Sequence, residues 1–151
     1  MVVSRQLLEK YTNASYHVHS SGEDYPFRIG GSNTALQGLL GRFGAGTACL
    51  ITACNPYSRP FPDEVNREAN DHLREELTRR GLTFLTGEGS DPDGEWPAEE
   101  SFLVFDLPQE MVADLCRRYR QNAVVWIGDN GIAELLIPAG AKSSDPWSTG
   151  D

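Results

Sequence analysis

The chain has 151 residues, of which 39% are hydrophobic and 23% charged, and its formal net charge is −9. This balance fits one globular domain with a buried core, and it excludes a disordered chain. The negative charge argues against nucleic-acid binding and against adhesion to an anionic membrane, because an acidic surface repels phosphate groups. No apolar run approaches the about 20 residues that a membrane span needs.

The N-terminus and the cysteines both bear on the cellular compartment. Residues 1–5 show no charged leader followed by an apolar stretch, so they predict no export signal. The three cysteines are odd in number and form no Cys-x-x-Cys pair, which predicts three free thiols. Cys49 and Cys116 fit the pattern of small buried hydrophobic residues. We therefore expect a cytoplasmic protein.

The first third of the chain predicts two helices and three strands. Residues 5–11 predict a short helix, and residues 16–19 and 27–29 predict strands on either side of a Gly/Asp/Pro turn. Residues 33–43 predict a second helix, with an asparagine cap at its start and leucines at helical spacing. The continuous apolar run at 48–53 predicts a strand inside the sheet, buried on both faces.

The middle of the chain predicts a long helix and two strands. The helix covers residues 63–80, with acids near its positive N-terminal end and arginines near its C-terminal end. Residues 83–86 and 101–105 are largely apolar and predict strands. Between them, residues 87–98 are rich in Gly, Asp and Pro and predict an ordered surface loop.

The last part of the chain predicts a helix followed by a β-hairpin. Residues 108–119 predict the helix, with a proline at its start and an apolar stripe. Residues 123–127 and 132–137 predict the two strands. Asn130 and Gly131 between them predict the hairpin turn, because an Asn-Gly pair tolerates positive φ.

This order of elements predicts an α+β fold. We expect a single domain at residues 1–137, with a mixed β-sheet of about five to seven strands, helices packed on it and a C-terminal β-hairpin. Residues 138–151 are expected to form a C-terminal tail that packs poorly against the domain.

Two asparagines on the long helix are candidates for a functional site. Asn66 and Asn70 are four residues apart, and leucines follow them at the helical positions i+7 and i+11. The leucines mark this stripe as the face towards the sheet, so both amides should point inward near the helix start. Buried amides need hydrogen-bond partners. These partners are either groups of a loop or a ligand.

Residues 52–56 follow the predicted inner strand and lead towards the long helix. Ligands often bind at strand ends, and amide N–H groups at helix starts suit anions. Thr52 and Asn55 are therefore candidate ligand-binding residues, and Arg28 could balance an anionic group. Alternatively, residues 55–56 are only a turn, and the inward amides bind loop carbonyls. Both interpretations stay open.

Glu100 and Gln121 are the remaining candidates. Glu100 shares a strand face with Phe102 and Val104, so its carboxylate could act as a general base or be a charge that protects a strand edge. Gln121 lies between a helix end and a strand, where its amide either binds a ligand or bridges the two elements.

Five segments of the chain also carry a family resemblance. They are, in chain order, residues 52–56, Asn66, residues 87–96, residues 99–101 and residues 121–126. Together they resemble the bacterial family known as domain of unknown function 3293, and the resemblance spans residues 16–136. It implies no activity, because none is established for that family. The site residues that it favours are Asn55, Asn66, Glu100 and Gln121.

We therefore predict a pocket at the start of the long helix that binds or processes a small polar or anionic molecule. The ligand-binding residues are Arg28, Thr52, Asn55, Asn66, Asn70 and Gln121. Glu100 is the candidate catalytic residue, as a proton acceptor, although the sequence leaves open whether the protein is an enzyme. We predict no cofactor and no metal, because His17 and His19 lack an identifiable third ligand.

The alternative is a non-catalytic protein-interaction module, in which the same polar residues only hold the loops. Such a module would present an exposed apolar patch larger than a few hundred Å².

Overall fold

The computed structural model describes residues 5–91, 93 and 98–138. The elements within these residues are, in chain order, α1 (Arg5–Asn13), β1 (Ser15–Ser20), β2 (Glu23–Phe27), α2 (Thr34–Arg42), β3 (Ala48–Ile51), a short 3₁₀ turn (Pro56–Ser58), α3 (Asp63–Arg79), β4 (Phe84–Ser90), β5 (Glu99–Phe105), α4 (Gln109–Arg118), β6 (Val124–Ile127) and β7 (Ala133–Leu136). The predicted α+β class, with helices packed on one sheet, is confirmed.

The seven strands form one curled sheet with the order β2-β1-β4-β5-β3-β6-β7. All six strand pairs are antiparallel, which corrects the expectation of a mixed sheet. Parallel pairing among the described residues is limited to a bridge between Ile29, just after β2, and Ala133 at the start of β7. Because β2 and β7 are the two edges, this bridge shows that the sheet curls into a half-barrel.

Each face of the sheet has its own hydrophobic core. On the inner, concave face, Leu50, Leu103 and Val125 pack with the leucines of α2. On the outer face, alternate residues of the same strands pack with apolar residues of α3 and α4, among them Leu73 and Leu77. Each of these two leucines is fully buried, which contributes about 1.5–3 kcal/mol per side chain.

The strand predicted to lie inside the sheet does so. β3 pairs with β5 on one side and β6 on the other, and all four of its residues are buried. The long helix begins at Asp63 as expected and packs on the outer face, over β5. The chain therefore leaves the end of β3 on its way to the start of α3, and residues 52–62 cross this end of the sheet.

Two strands differ from the prediction. The turn after β1 is made by Ser21 and Gly22, so β2 ends at Phe27, where the predicted strand began. β4 continues through Ser90, although residues 87–90 were predicted to belong to a loop. Gly87 lies in this strand because a Cβ there would come within 2.4 Å of the His17 carbonyl oxygen on β1. Close approach of two backbones, and not a turn, explains this glycine.

The C-terminal hairpin is confirmed, with β6 and β7 joined by the Asn-Gly turn. Gly131 has a φ of 76°, and the Asn130 side chain accepts a hydrogen bond from the Ile132 N–H at 3.0 Å. Of the expected tail at 138–151, residues 139–151 lie outside the described part of the chain.

All three cysteines are free, as predicted, and Cys54 is buried as well as Cys49 and Cys116. In the described ranges, none of the helices has the length and apolar character that a membrane crossing requires.

Candidate functional site

Asn70 ties the end of β3 to β5. Its side chain is buried, its Oδ1 accepts a hydrogen bond from the Ala53 N–H at 2.8 Å, and its Nδ2 donates to the Glu100 carbonyl at 2.8 Å. Thr52 Oγ1 donates to the same carbonyl at 2.6 Å. The Asn70 side chain, which helical phase predicted to point inward, therefore makes these hydrogen bonds to backbone groups.

Asn66 and Asn55 bind each other. Asn66 Oδ1 accepts from the Asn55 N–H at 2.8 Å, and Asn66 Nδ2 donates to Asn55 Oδ1 at 2.9 Å. Asn55 Oδ1 also accepts from the Phe61 N–H at 3.0 Å. These bonds hold residues 55–61, the loop that leads into α3, in place.

The same loop carries unusual backbone conformations. Asn55, Tyr57 and Ser58 have φ values of 48°, 55° and 64°, in the left-handed region that residues other than glycine rarely adopt. Arg120, which accepts a hydrogen bond from the Tyr57 N–H at 2.6 Å through its carbonyl, has a φ of 56°. Such conformations cost about 1–3 kcal/mol each and cluster at functional sites.

A cavity of about 130 Å³ lies on the inner face of the sheet, between the strand ends, α1 and this loop. We call it the inner cavity. Its apolar lining includes Leu7, Ala14, Leu50, Ala123 and Val125. Its polar lining includes Tyr11, Asn55, Ser58, Glu99, Ser101 and Gln121. The cavity therefore combines an apolar floor with a small number of polar groups, as ligand sites commonly do.

Glu99 is the acid of this cavity that contacts the strained loop. Its Oε2 accepts a hydrogen bond from Asn55 Nδ2 at 2.7 Å. Burial raises the pKa of Glu99, and the Asn55 hydrogen bond opposes this shift without cancelling it. The carboxylate is thus less stable in its charged form than an exposed glutamate would be.

Two hydroxyl groups meet at the loop side of the cavity. Tyr11 Oη and Ser58 Oγ are 3.2 Å apart, and Ser58 Oγ accepts a second hydrogen bond from Asn122 Nδ2 at 3.1 Å. Burial raises the pKa of Tyr11 to about 12, although the Ser58 hydrogen bond acts in the opposite direction, so the phenol is neutral at physiological pH. Tyr16 Oη donates to the Tyr11 carbonyl at 3.0 Å and anchors the end of α1 beside the cavity.

The structure places Glu100 away from the inner cavity. Its side chain is 47% exposed and pairs with Arg74 at 3.3 Å, on the outer face. Glu100 lies on the same face of β5 as Phe102 and Val104, as predicted. The first residues of β5 are not covered by α3, so Glu100 lies at a solvent-exposed rim. The neighbouring Glu99 lines the inner cavity, where its charge acts on Tyr11 and Tyr16.

A second cavity of about 240 Å³ lies on the outer side, at the start of α3. Its lining includes Asn66, Asn70 and Glu100, while Thr52 and Gln121 line the inner cavity. Cys54, Asn55 and Glu99 line both cavities. The predicted residues are thus divided between two neighbouring cavities that share one wall.

Gln121 and Arg28 complete the predicted set. Gln121 is buried, and its Nε2 donates to the carbonyl oxygens of Cys54 and Tyr119 at 3.0 and 3.2 Å. Arg28 is exposed, donates to the Asn13 carbonyl at 3.2 Å, and lines neither cavity. A role for Arg28 in balancing a bound anion therefore has no support from its position.

Cys54 is poorly placed to act as a nucleophile. Burial raises the pKa of its thiol, and Asn70 Nδ2 lies 3.3 Å from its Sγ. For metal binding, the described residues contain no group of three or more His, Cys, Asp or Glu side chains that could hold an ion. The groups that line the inner cavity can form hydrogen bonds and exchange protons.

Sequence reasoning missed Glu99, Tyr11 and Ser58. For Glu99 the signal was present, because strand alternation places it on the same face as Ser101 and Leu103. Tyr11 lies on a helix and Ser58 in a strained turn. Strand alternation therefore does not predict where their side chains point.

Comparison with known proteins gives a family match. Residues 51–124 match the family described as Protein of unknown function (DUF3293). This segment includes Asn55, Asn66, Glu99 and Gln121, and therefore the wall between the two cavities. No curated protein and no solved structure matches the chain.

Proposed function

Because the chain belongs to the family Protein of unknown function (DUF3293), which assigns no activity, we propose a function from the geometry. In this proposal the inner cavity binds a small, partly apolar molecule that donates a hydrogen bond to the Glu99 carboxylate. One observation carries the proposal. The Glu99 carboxylate lies in the wall of a cavity whose lining is otherwise largely apolar, and burial raises the pKa of this carboxylate.

The energetics of Glu99 support this proposal. A carboxylate withdrawn from water needs compensating donors, and the donor that the described residues give Glu99 is a single neutral amide, that of Asn55. A carboxylate in this position therefore has acceptor capacity that a ligand can use. Groups with a pKa shifted by burial are concentrated at functional sites.

The backbone of the loop supports the proposal independently. Asn55, Tyr57 and Ser58 keep left-handed conformations although none of them is a glycine. Asn55 and Ser58 also line the inner cavity, so two of these three strained residues shape it. Holding a side chain in place for a ligand is a physical reason for retaining such strain.

The ligand in this proposal is polar and not anionic. An anion in the inner cavity would lie beside the Glu99 carboxylate and be repelled by it. Arg28 lines neither cavity, and Lys10, a cation of the lining, lies 3.9 Å from Asp91 and is already paired with it. Glu99 could accept a proton from the bound molecule, which would make the site competent for acid-base chemistry.

The interaction module is the weaker alternative. In the described part of the chain the large exposed hydrophobic residues are Phe43, Phe61 and Val65. Phe43 stacks on Phe105 with ring centroids 4.4 Å apart, so it is already partly engaged. Phe61 and Val65 are 39% and 45% exposed, and singly exposed hydrophobic residues are normal on a protein surface.

A fragment screen tests the proposal. Small uncharged and charged fragments are screened by protein NMR against the wild type, Glu99→Gln and Glu100→Gln. We expect fragments that shift the resonances of Leu50, Val125 and Ser101, with affinity at least about tenfold weaker in Glu99→Gln, or about 1.4 kcal/mol. Glu100→Gln is the matched control, since it removes the adjacent charge outside the cavity.

The proposal fails if the hits bind Glu99→Gln as well as they bind the wild type. It also fails if every hit shifts resonances outside the inner cavity.

A further inference from the structure

We infer that the ligand of the inner cavity is a small primary amine with a compact apolar body, its ammonium group beside Glu99. The inference rests on the proposed function and names the ligand class. The amine provides the hydrogen-bond donors, and the apolar body lies on Leu50 and Val125.

The charges that line the cavity favour a cation. Among the described residues they are those of Glu99, Asp91 and Lys10, which sum to −1. Lys10 Nζ lies 3.9 Å from Asp91 Oδ2, so these two charges offset each other. The charge of Glu99 remains, and an ammonium group would neutralise it.

The hydrogen-bonding groups of the cavity also favour a donor-rich ligand. Asn55 Nδ2 is engaged with Glu99, and Gln121 Nε2 with two carbonyl oxygens. Ser101 Oγ donates to the Glu99 carbonyl at 3.1 Å, which leaves its lone pairs to accept. The cavity thus presents acceptors around Glu99, and an ammonium group has three donors and no acceptor.

The aromatic lining is compatible with the same ligand. The side chains of Tyr11 and Tyr16 line the cavity, and their hydroxyl groups are engaged with Ser58 and with the Tyr11 carbonyl. What they offer a ligand is mainly ring surface, which attracts cations and packs against apolar groups. The size of the cavity limits the ligand to a compact molecule, such as an arylalkylamine.

Three isosteric probes test the inference. Benzylamine, benzyl alcohol and benzoate share one ring and differ in charge, being cationic, neutral and anionic at pH 7. Their affinities are measured by NMR titration of the wild-type protein, with shifts mapped to the inner cavity. We expect benzylamine to bind at least about tenfold tighter than benzyl alcohol, about 1.4 kcal/mol, and benzoate not to bind.

Two variants show whether the charge of Glu99 is responsible. Glu99→Gln keeps the shape of the side chain, and it should weaken benzylamine at least tenfold while changing benzyl alcohol less than threefold. Glu100→Gln should leave all three affinities within twofold of the wild type. Loss of the preference for benzylamine in Glu99→Gln alone supports the inference.

Other outcomes overturn it. Equal binding of benzylamine and benzyl alcohol, or tighter binding of benzoate, excludes the amine while leaving the proposed pocket intact. If none of the three probes shifts cavity resonances at millimolar concentration, the amine inference also fails. The broader fragment screen then decides the proposed function separately, because it includes uncharged fragments without an amine.

Discussion

The carboxylates of Glu76 and Glu99 are both shielded from water, but their surroundings differ. Glu76 lies on α3, only 3% exposed, and accepts hydrogen bonds from Arg80, Arg118 and Tyr119. Glu99 starts β5 and accepts one from the neutral amide of Asn55. Within the described part of the chain, Glu76 therefore bonds to two arginines, whereas Glu99 bonds to a neutral amide.

The pKa values of the two groups shift in opposite directions. Burial raises the pKa of Glu76, but hydrogen bonds from Arg80 and Tyr119 and the charge of Arg118 outweigh it, and the net pKa is lowered. For Glu99 burial is the larger effect, and the pKa is raised. The comparison indicates that Glu76 is a structural link between α3 and α4, whereas Glu99 is available to a ligand.

The largest effect is expected from Glu76→Gln. The amide would keep the volume but remove the charge that Arg80 and Arg118 face. We expect the free energy of unfolding to fall by about 3 kcal/mol, the low end for a broken buried ion pair, because both arginines remain partly hydrated. Urea denaturation at pH 7 measures the change.

Glu75→Gln is the matched control for this prediction. Glu75 is the exposed neighbour on the same helix, so the same change of charge should alter stability by less than about 0.5 kcal/mol. Equal effects of the two substitutions would show that Glu76 is not a structural link.

Asn70→Ala comes next. The substitution leaves the buried Ala53 N–H without its side-chain partner, while the Glu100 carbonyl keeps the hydrogen bond from Thr52. We expect a loss of about 2 kcal/mol, the cost of a buried polar group left unsatisfied. Urea denaturation measures it.

Asn66→Ala is the comparison for Asn70. Asn66 is only half-buried, so water can replace its bonds, and the loss should be about 1 kcal/mol or less. If Asn66→Ala abolishes ligand binding and leaves stability unchanged, Asn66 belongs with Glu99 as a ligand residue instead.

The pH dependence of stability should also separate the two carboxylates. The Glu76 pKa is lowered on folding, so its contribution is fully present above the unfolded pKa, about 4.3, and is lost as pH falls through the lower folded pKa. Glu76→Gln should therefore flatten the loss of stability below about pH 5. Urea denaturation from pH 7 to pH 3 measures this. A parallel acid slope in the wild type and the variant would contradict it.

The sequence predicted the scaffold better than the site. The apolar run of β3, the leucine stripe of α3 and the Asn-Gly turn are local signals, and each element formed where expected. The length of β4 was not predictable locally, because the role of Gly87 depends on the His17 backbone of another strand.

The sequence did not predict which of Glu99 and Glu100 lines the inner cavity. Alternation separates the two carboxylates onto opposite faces, but it does not say which face holds a cavity. That depends on α1, whose Tyr11 lines the inner cavity, and on α3, which leaves Glu100 at the rim. Both are long-range contacts. The inward phase of Asn66 and Asn70 was predictable, but their partners were not.

The smallest effect is expected from Glu99→Gln. The folded pKa of Glu99 is raised, so between about pH 4.3 and that pKa the folded state binds more protons than the unfolded state, and stability falls as pH rises through this window. Glutamine is neutral and keeps an oxygen that can accept from Asn55. Urea denaturation should therefore show the variant more stable than the wild type at pH 7, by about 1 kcal/mol or less.

The pH profile of this difference is what separates a ligand residue from a structural one. The advantage of Glu99→Gln should disappear below about pH 4, where the wild-type carboxyl is neutral as well. Glu100→Gln, which removes an exposed charge paired with Arg74, should stay within about 0.5 kcal/mol of the wild type at every pH. A substitution that raises stability while weakening a ligand identifies a group retained for binding. If Glu99→Gln instead destabilises the protein as Glu76→Gln does, the two carboxylates have the same structural role, and the comparison that assigns Glu99 to a ligand is wrong.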